Sequence, residues 1–220
     1  DPEGFKKSEE AVSGSSAQIA ELPFTNVLAH LQQTGVTVPQ LHYYDREAGL
    51  LYLEDFGDLT LAEACRDADR ARLVSLYRQA IDQLVLLQVK GTQPPAPGCI
   101  AFHRGFDVPL LMWEFDHFLE YGITARVGQP MKPADDSAIR AEFQRIAELL
   151  AGQQQVFVHR DYHSRNLMVD ESRMGIIDFQ DALMGPATYD LASLLKDAYI
   201  EMDDAVVDGL VEHFLNGLAV

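Results

Sequence analysis

The sequence predicts an α+β fold in which most of the chain is helical and the strands are few and short. Three observations carry this. Long segments repeat apolar residues at the three-to-four spacing of a buried helix face. The strand-like runs span only three to five residues. Four of those runs form two neighbouring pairs, each split by a turn, and they are separated by a long helical stretch.

The elements follow in chain order. Residues 1–20 are polar and rich in small residues, and Ser13-Gly14-Ser15-Ser16 reads as a loop. Leu22, Val27, Leu28 and Leu31 line one face of a helix over Leu22–Gln33, which Gly35 ends. Gln40–Tyr44 and Leu50–Glu54 read as a strand pair around the turn at Asp45–Gly49. One long helical region is expected from Leu61 to Val89, with Leu73, Leu76, Tyr77, Ile81, Leu84 and Leu87 as its apolar stripe. Residues 91–109 hold glycine and several prolines and read as a loop. Helices are then expected over Leu110–Tyr121 and Ala138–Leu150. Val156–Val158 is a very short buried strand. Asn166–Val169 and Met174–Asp178 form a strand pair across Asp170–Arg173. Helices close the chain at Tyr189–Ile200 and Ala205–Leu215.

Composition narrows the function. The 220 residues are 47% hydrophobic and 23% charged, ordinary for a globular protein. No apolar run approaches the ~18 residues of a membrane span, and the start lacks the apolar segment of a secretory signal. The net charge of −17 argues against nucleic acid and against an anionic membrane surface, since both demand a basic face. Cys65 and Cys99 stand in unrelated contexts, which signals neither a zinc site nor a disulfide framework. A reduced, cytoplasmic setting is the expectation.

The informative segment is Val158-His159-Arg160-Asp161-Tyr162-His163-Ser164-Arg165-Asn166, followed by Gly175-Ile176-Ile177-Asp178-Phe179-Gln180. Phosphoryl transfer needs a carboxylate to orient the attacking hydroxyl and hard oxygen ligands to hold magnesium against phosphates. Asp161 suits the first task; Asn166 and Asp178 suit the second. A short loop between strands puts Asp161 and Asn166 at one end of a sheet, and a hairpin returns Asp178 to that end.

These strings resemble the catalytic loop and the Asp-Phe-Gly element of the protein-kinase superfamily, with Gln180 in place of the glycine. The continuation Gly185-Pro186-Ala187-Thr188-Tyr189-Asp190-Leu191-Ala192 is similar to the aminoglycoside phosphotransferase and choline kinase family. Within it, Phe157–Asp161, Asp178–Ala182 and Tyr189–Leu191 most resemble the bacterial anomeric kinases of N-acetylmuramate and N-acetylglucosamine. Antibiotic-modifying members typically carry Gly where this chain has Arg160. The resemblance implies a protein-kinase-like two-lobed α+β fold with a mostly helical C-terminal lobe, and ATP and Mg2+ as cofactors. It gives His159 and Asp190 the task of supporting the catalytic loop. It also makes Glu54, Asp55 and Phe56 the hinge against adenine. His163 and Arg165 are candidates to meet the transferred phosphoryl group, and Asp181 to extend the metal shell or face the cleft. Trp113, Glu114 and Asp116 fall where a substrate-binding helix would lie, although a Trp at helical spacing is more often core.

One part of the pattern is missing. No glycine-rich phosphate turn or strand lysine precedes the hinge; the only lysines there are Lys6 and Lys7. The expectation is therefore a truncated N-terminal lobe over residues 1–57, a catalytic lobe over 58–220, and a chain that is a piece of a longer protein. The expected acceptor is an amino sugar phosphorylated at its anomeric hydroxyl, with an aminoglycoside or other amino alcohol next. A kinase-like binding module without catalysis is the rival from another class.

Overall fold

A computed structural model describes residues 21–170 and 173–219, so the expected loop at Ser13–Ser16 lies outside the described residues. Helix α1 (Pro23–Thr34) starts on a proline at its first turn, where a missing N–H costs nothing, and stops at Gly35 with φ 82°. Strands β1 (Leu41–Asp45) and β2 (Leu50–Leu53) form an antiparallel pair with Leu41 opposite Leu53 and Tyr44 opposite Leu51. Its outer faces leave Tyr43, Leu50 and Tyr52 exposed.

The expected helix over 61–89 is two helices. Thr60 and Glu63 cap each other reciprocally and start the short α2 (Leu61–Cys65). Asp69 then accepts from the Arg72 amide and opens a new helix, α3 (Arg70–Thr92). The capping signals are plain in the sequence, and the apolar stripe begins only at Leu73, after the break.

Helix α3 is the spine. Leu76, Tyr77, Ala80, Ile81, Leu84 and Leu87 are all within 1% of complete burial. They share one core with Val27, Leu28 and Leu31 of α1, with Phe157 and Phe179, and with Leu194 and Phe214 near the C-terminal end. Burial of each such side chain is worth about 1.5–3 kcal/mol against exposure. A smaller cluster joins Phe106, Leu110, Leu111, Ala147, Val158 and Leu183.

The segment between holds α4 (Val108–His117), which Asp107 caps two residues earlier than the apolar pattern suggested. It continues through a wide, π-type turn over Phe118–Thr124 and a last turn to Val127, ended by Gly128. Helix α5 (Pro133–Ala151) packs against α4 and also begins earlier than expected, again on a proline. Part of the expected 91–109 loop is a 3₁₀ turn at Ile100–His103.

Four strands frame the informative segment. Strand β3 (Gln155–Val158) pairs antiparallel with β6 (Leu183–Pro186), a strand whose four residues gave no alternating pattern in the sequence. Strand β4 (Leu167–Asp170) pairs with β5 (Arg173–Ile176), Leu167 opposite Ile176. Asn166 and Asp178, expected at strand ends, sit just outside them. Helix α6 (Thr188–Leu195) ends before the expected Ile200, and α7 (Asp204–Leu218) follows. Among the described residues no helix is long and apolar enough to cross a membrane.

One contact ties the two strand pairs' surroundings together. Phe56, just after β2, lies against Gly175 of β5, and a Cβ built on Gly175 would sit 2.5 Å from the ring. Gly175→Ala is expected to destabilise the fold by about 1–3 kcal/mol through this overlap, read as a fall in the denaturation midpoint at constant slope.

Candidate active site

The loop between β3 and β4 is fixed from below. Asp190, on α6 and fully buried, accepts the His159 amide through Oδ2 at 2.7 Å and the Arg160 amide through Oδ1 at 3.0 Å. Burial pushes the Asp190 carboxyl up to about 7, and the two N–H donors pull it the other way. The His159 ring is completely buried and donates through Nε2 to the Ile177 carbonyl at 2.9 Å. Burial lowers its pKa to about 4, so the ring is neutral. Both residues hold the loop, one by its backbone and one by tying it to the segment that carries Asp178.

Further anchors had no obvious sequence signal. Tyr162 is buried and donates to the Ala80 carbonyl of α3 at 2.7 Å. Asp197 accepts the Ser164 amide at 2.9 Å and also the amides of Tyr199 and Ile200. An Asp just past a helix followed by a turn is the only trace such a brace leaves in sequence.

The three oxygen-bearing residues meet. The Asn166 amide nitrogen is 3.0 Å from the Asp161 carbonyl oxygen and 3.3 Å from Asp178 Oδ2. The Ile177 amide donates to the Asn166 carbonyl at 3.1 Å, which locks the two segments in register. Asp178 adopts φ 66°, a left-handed backbone that turns its side chain off the line of β5. Gln180 Nε2 donates to Asp178 Oδ1 at 2.7 Å. Burial raises the pKa of Asp161; Arg160 opposes this, and the nearby charges of Asp178 and Asp181 add to it.

The other expected residues are placed as follows. The His163 ring lies against Tyr199, its Nε2 3.4 Å from the Asn166 amide nitrogen. It is near enough to Asp161 to stabilise that carboxylate. The Arg165 guanidinium stacks 3.9 Å over Tyr199 and lines a cavity of about 820 Å³ with Arg66 and Leu73. The lining of that cavity includes none of Asp161, Asn166 and Asp178. Glu54 pairs with Arg173 at 2.8 Å, Asp55 accepts the Gly57 amide at 2.8 Å, and Phe56 is buried beneath Arg173. The side chains of this segment are thus occupied in packing and pairing.

On α4, Trp113 is half-buried and stacks on His117, and Asp116 pairs with Arg140. Glu114 instead faces the catalytic loop. Its Oε1 is 3.6 Å from Arg160, and its Oε2 accepts from the Tyr189 hydroxyl at 3.0 Å.

The arrangement fits a divalent cation. Asn166 spends its amide nitrogen on Asp161 and Asp178, which leaves its carbonyl oxygen as a hard ligand beside a carboxylate. Among the described residues no group of three or more His, Cys, Asp or Glu is placed to hold a metal. An Asn–Asp pair completed by phosphate oxygens and water needs no such group.

A helical lobe, a braced loop carrying Asp161 and Asn166, and a hairpin delivering Asp178 define a kinase-like phosphotransferase scaffold. The chain belongs to the phosphotransferase enzyme family, whose model matches residues 12–220. It is 36% identical over 191 residues to an N-acetylmuramate/N-acetylglucosamine kinase of Pseudomonas putida, covering 85% of this chain and 52% of that protein. A kinase of the same name from Neisseria meningitidis is 33% identical over 177 residues, covering 80% and 51%. The chain thus spans about half the length of the curated relatives it matches. Among solved structures, an aminoglycoside-3'-phosphotransferase of type VIII superposes with a TM-score of 0.62 at 14% identity, over 90% of this chain and 73% of that one. A choline/ethanolamine kinase family protein from Mesorhizobium loti gives 0.60 at 16%, over 93% and 62%. These similarities show the kinase-like α+β fold expected from the sequence.

Asp190→Asn is expected to destabilise the chain by about 1–3 kcal/mol, because an amide NH2 would face a backbone N–H where an oxygen now accepts; chemical denaturation measures it. His159 is expected to stay neutral from pH 8 down to about pH 5, since its folded pKa lies near 4. Ring nitrogen shifts by NMR test this, and protonation near pH 6.5 would contradict it.

Proposed function

We propose that this chain carries the catalytic part of an ATP-dependent kinase that phosphorylates the anomeric hydroxyl of an amino sugar. The observation that carries the reading is that the Asn166 side-chain amide joins the Asp161 backbone carbonyl at 3.0 Å and Asp178 Oδ2 at 3.3 Å, which draws the three residues together. The substrate class rests on Arg160 and the Asp178–Ala182 string, and on relatives whose names specify N-acetylmuramate and N-acetylglucosamine.

In this reading Asp161 accepts a hydrogen bond from the acceptor hydroxyl and orients its oxygen toward the terminal phosphorus of ATP. A new P–O bond forms as the bridging bond to ADP breaks, and Asp161 takes the hydroxyl proton. Asn166 and Asp178 would hold a magnesium ion, which offsets charge on the phosphate oxygens when bound. Asp190 and His159 keep the loop in place and touch neither reactant. His163 lies close enough to bear on the transferred group. The Glu54 amide donates to the Gln40 carbonyl at 2.8 Å, so adenine would meet the backbone of Asp55 and Phe56. In the same reading, residues up to about Gly57 belong to the nucleotide lobe and the rest to the catalytic lobe.

The test is magnesium-dependent ADP release by the full chain across a panel of amino sugars and aminoglycosides. Release with an N-acetylated amino sugar is expected, with Asp161→Asn slowing it about 10²–10⁴-fold. Release only with aminoglycosides would move the acceptor to the next class. Nucleotide binding with no acceptor-dependent release would favour a binding module instead.

A further inference from the structure

Arg160 has a left-handed backbone, φ 82°, a region in which a non-glycine residue is strained and glycine is not. The two bonds to Asp190 use only the backbone amides of His159 and Arg160, so glycine would make them equally well. What this position does for the loop backbone therefore does not explain an arginine. Its side chain must.

That side chain is only 13% exposed and reaches toward Glu114 of α4. Glu114 is itself largely buried. Burial raises its pKa, and Arg160 and Tyr189 oppose the rise. The 3.6 Å separation from Arg160 is an ion pair longer than a hydrogen bond, so Glu114 Oε1 retains acceptor capacity. Asp178 and Asp181 raise the cost of charging Asp161, and Glu114 and Asp161 repel. Arg160 is the strongest opposing charge on Asp161, followed by His163. Arg104 lies nearby at the Gln180 carbonyl, 3.4 Å away.

We propose that Arg160, held in place by Glu114, sets the charge selectivity of the acceptor site, so that it takes a hydroxylated acceptor without a cationic group, such as an N-acylated amino sugar, in preference to a free amine. A cluster of carboxylates alone would attract an ammonium group. A fixed guanidinium among them repels it at close range and leaves Glu114 Oε1 to accept from a hydroxyl. The inference rests on the phosphoryl-transfer reading only in supposing that an acceptor binds beside Asp161.

The test compares N-acetylglucosamine with glucosamine, one sugar skeleton bearing a neutral amide or an ammonium. The full chain and its Arg160→Gly, Arg160→Lys and Glu114→Gln variants are assayed for kcat/KM. In parallel, calorimetry without ATP measures binding of each sugar. Arg160→Gly is expected to shift the preference toward glucosamine by about tenfold or more, through acceptor KM, with the KM for ATP within about twofold. Arg160→Lys is expected to retain most of the preference, and Glu114→Gln to shift it the opposite way. Circular dichroism checks that each variant folds. An unchanged preference in folded Arg160→Gly overturns the inference, as does a chain that binds neither sugar. If the wild-type chain binds both sugars but turns over neither, the phosphoryl-transfer reading falls, and the ratio of dissociation constants still decides charge selectivity.

Discussion

The site depends on one buried carboxylate. Asp190 gathers two consecutive backbone amides at the point where β3 becomes the catalytic loop. A buried N–H without a partner is costly, so each bond is held firmly once the carboxylate is placed. The carboxylate is placed because α6 is anchored by Leu191, Leu194 and Leu195 in the core. The path of the loop follows from that: His159 turns inward to Ile177, Tyr162 reaches α3, and Asp161 is left at the rim facing Asn166 and Asp178. Chemistry at the surface of this molecule is set by packing one layer down.

A second constraint runs along α3. Its buried face meets α1, β3 and α7, so the helices on either side of the catalytic loop are referred to one rod. The loop is tied to that rod by the Tyr162 hydroxyl. The strands are too short to form a rigid sheet on their own; among the described residues, three two-stranded pairs share the work. This explains how a mostly helical body holds the Asn166 side-chain amide 3.0 Å from the Asp161 carbonyl and 3.3 Å from Asp178.

The convergence of the candidate site residues was legible in the sequence because it depends on local spacing. Asp161 and Asn166 leave the same loop, and one tight hairpin brings Asp178 back. The fold class was legible for a related reason: the stripe of α3 and the strand pairs are short-range patterns. What escaped were features decided over long range or by caps. Strand β6 has no alternation because it is largely buried and half of it is Gly185 and Pro186; its pairing with β3 and the bridge from Met184 to Gly105 make it a strand. The break at Asp69 was hidden because no glycine or proline marks it; a capping aspartate alone opens the next helix. Asp197 and Tyr162 act on residues far away in sequence, and nothing local marks them. Arg165 sits within the informative loop, yet its side chain turns to Tyr199, a choice that depends on a neighbour 34 positions later.

The segment after β2 offers a mechanical consequence. Glu54 grips Arg173 and Phe56 rests on Gly175, so the first strand pair and the third are fastened by a charge clasp and a ring. Such a joint transmits displacement instead of absorbing it. If the first strand pair tilts, β5 must tilt with it, and Asp178 swings at the far end like the tip of a lever. A displacement of the first strand pair is thereby felt at Asp178 directly, with no intervening relay.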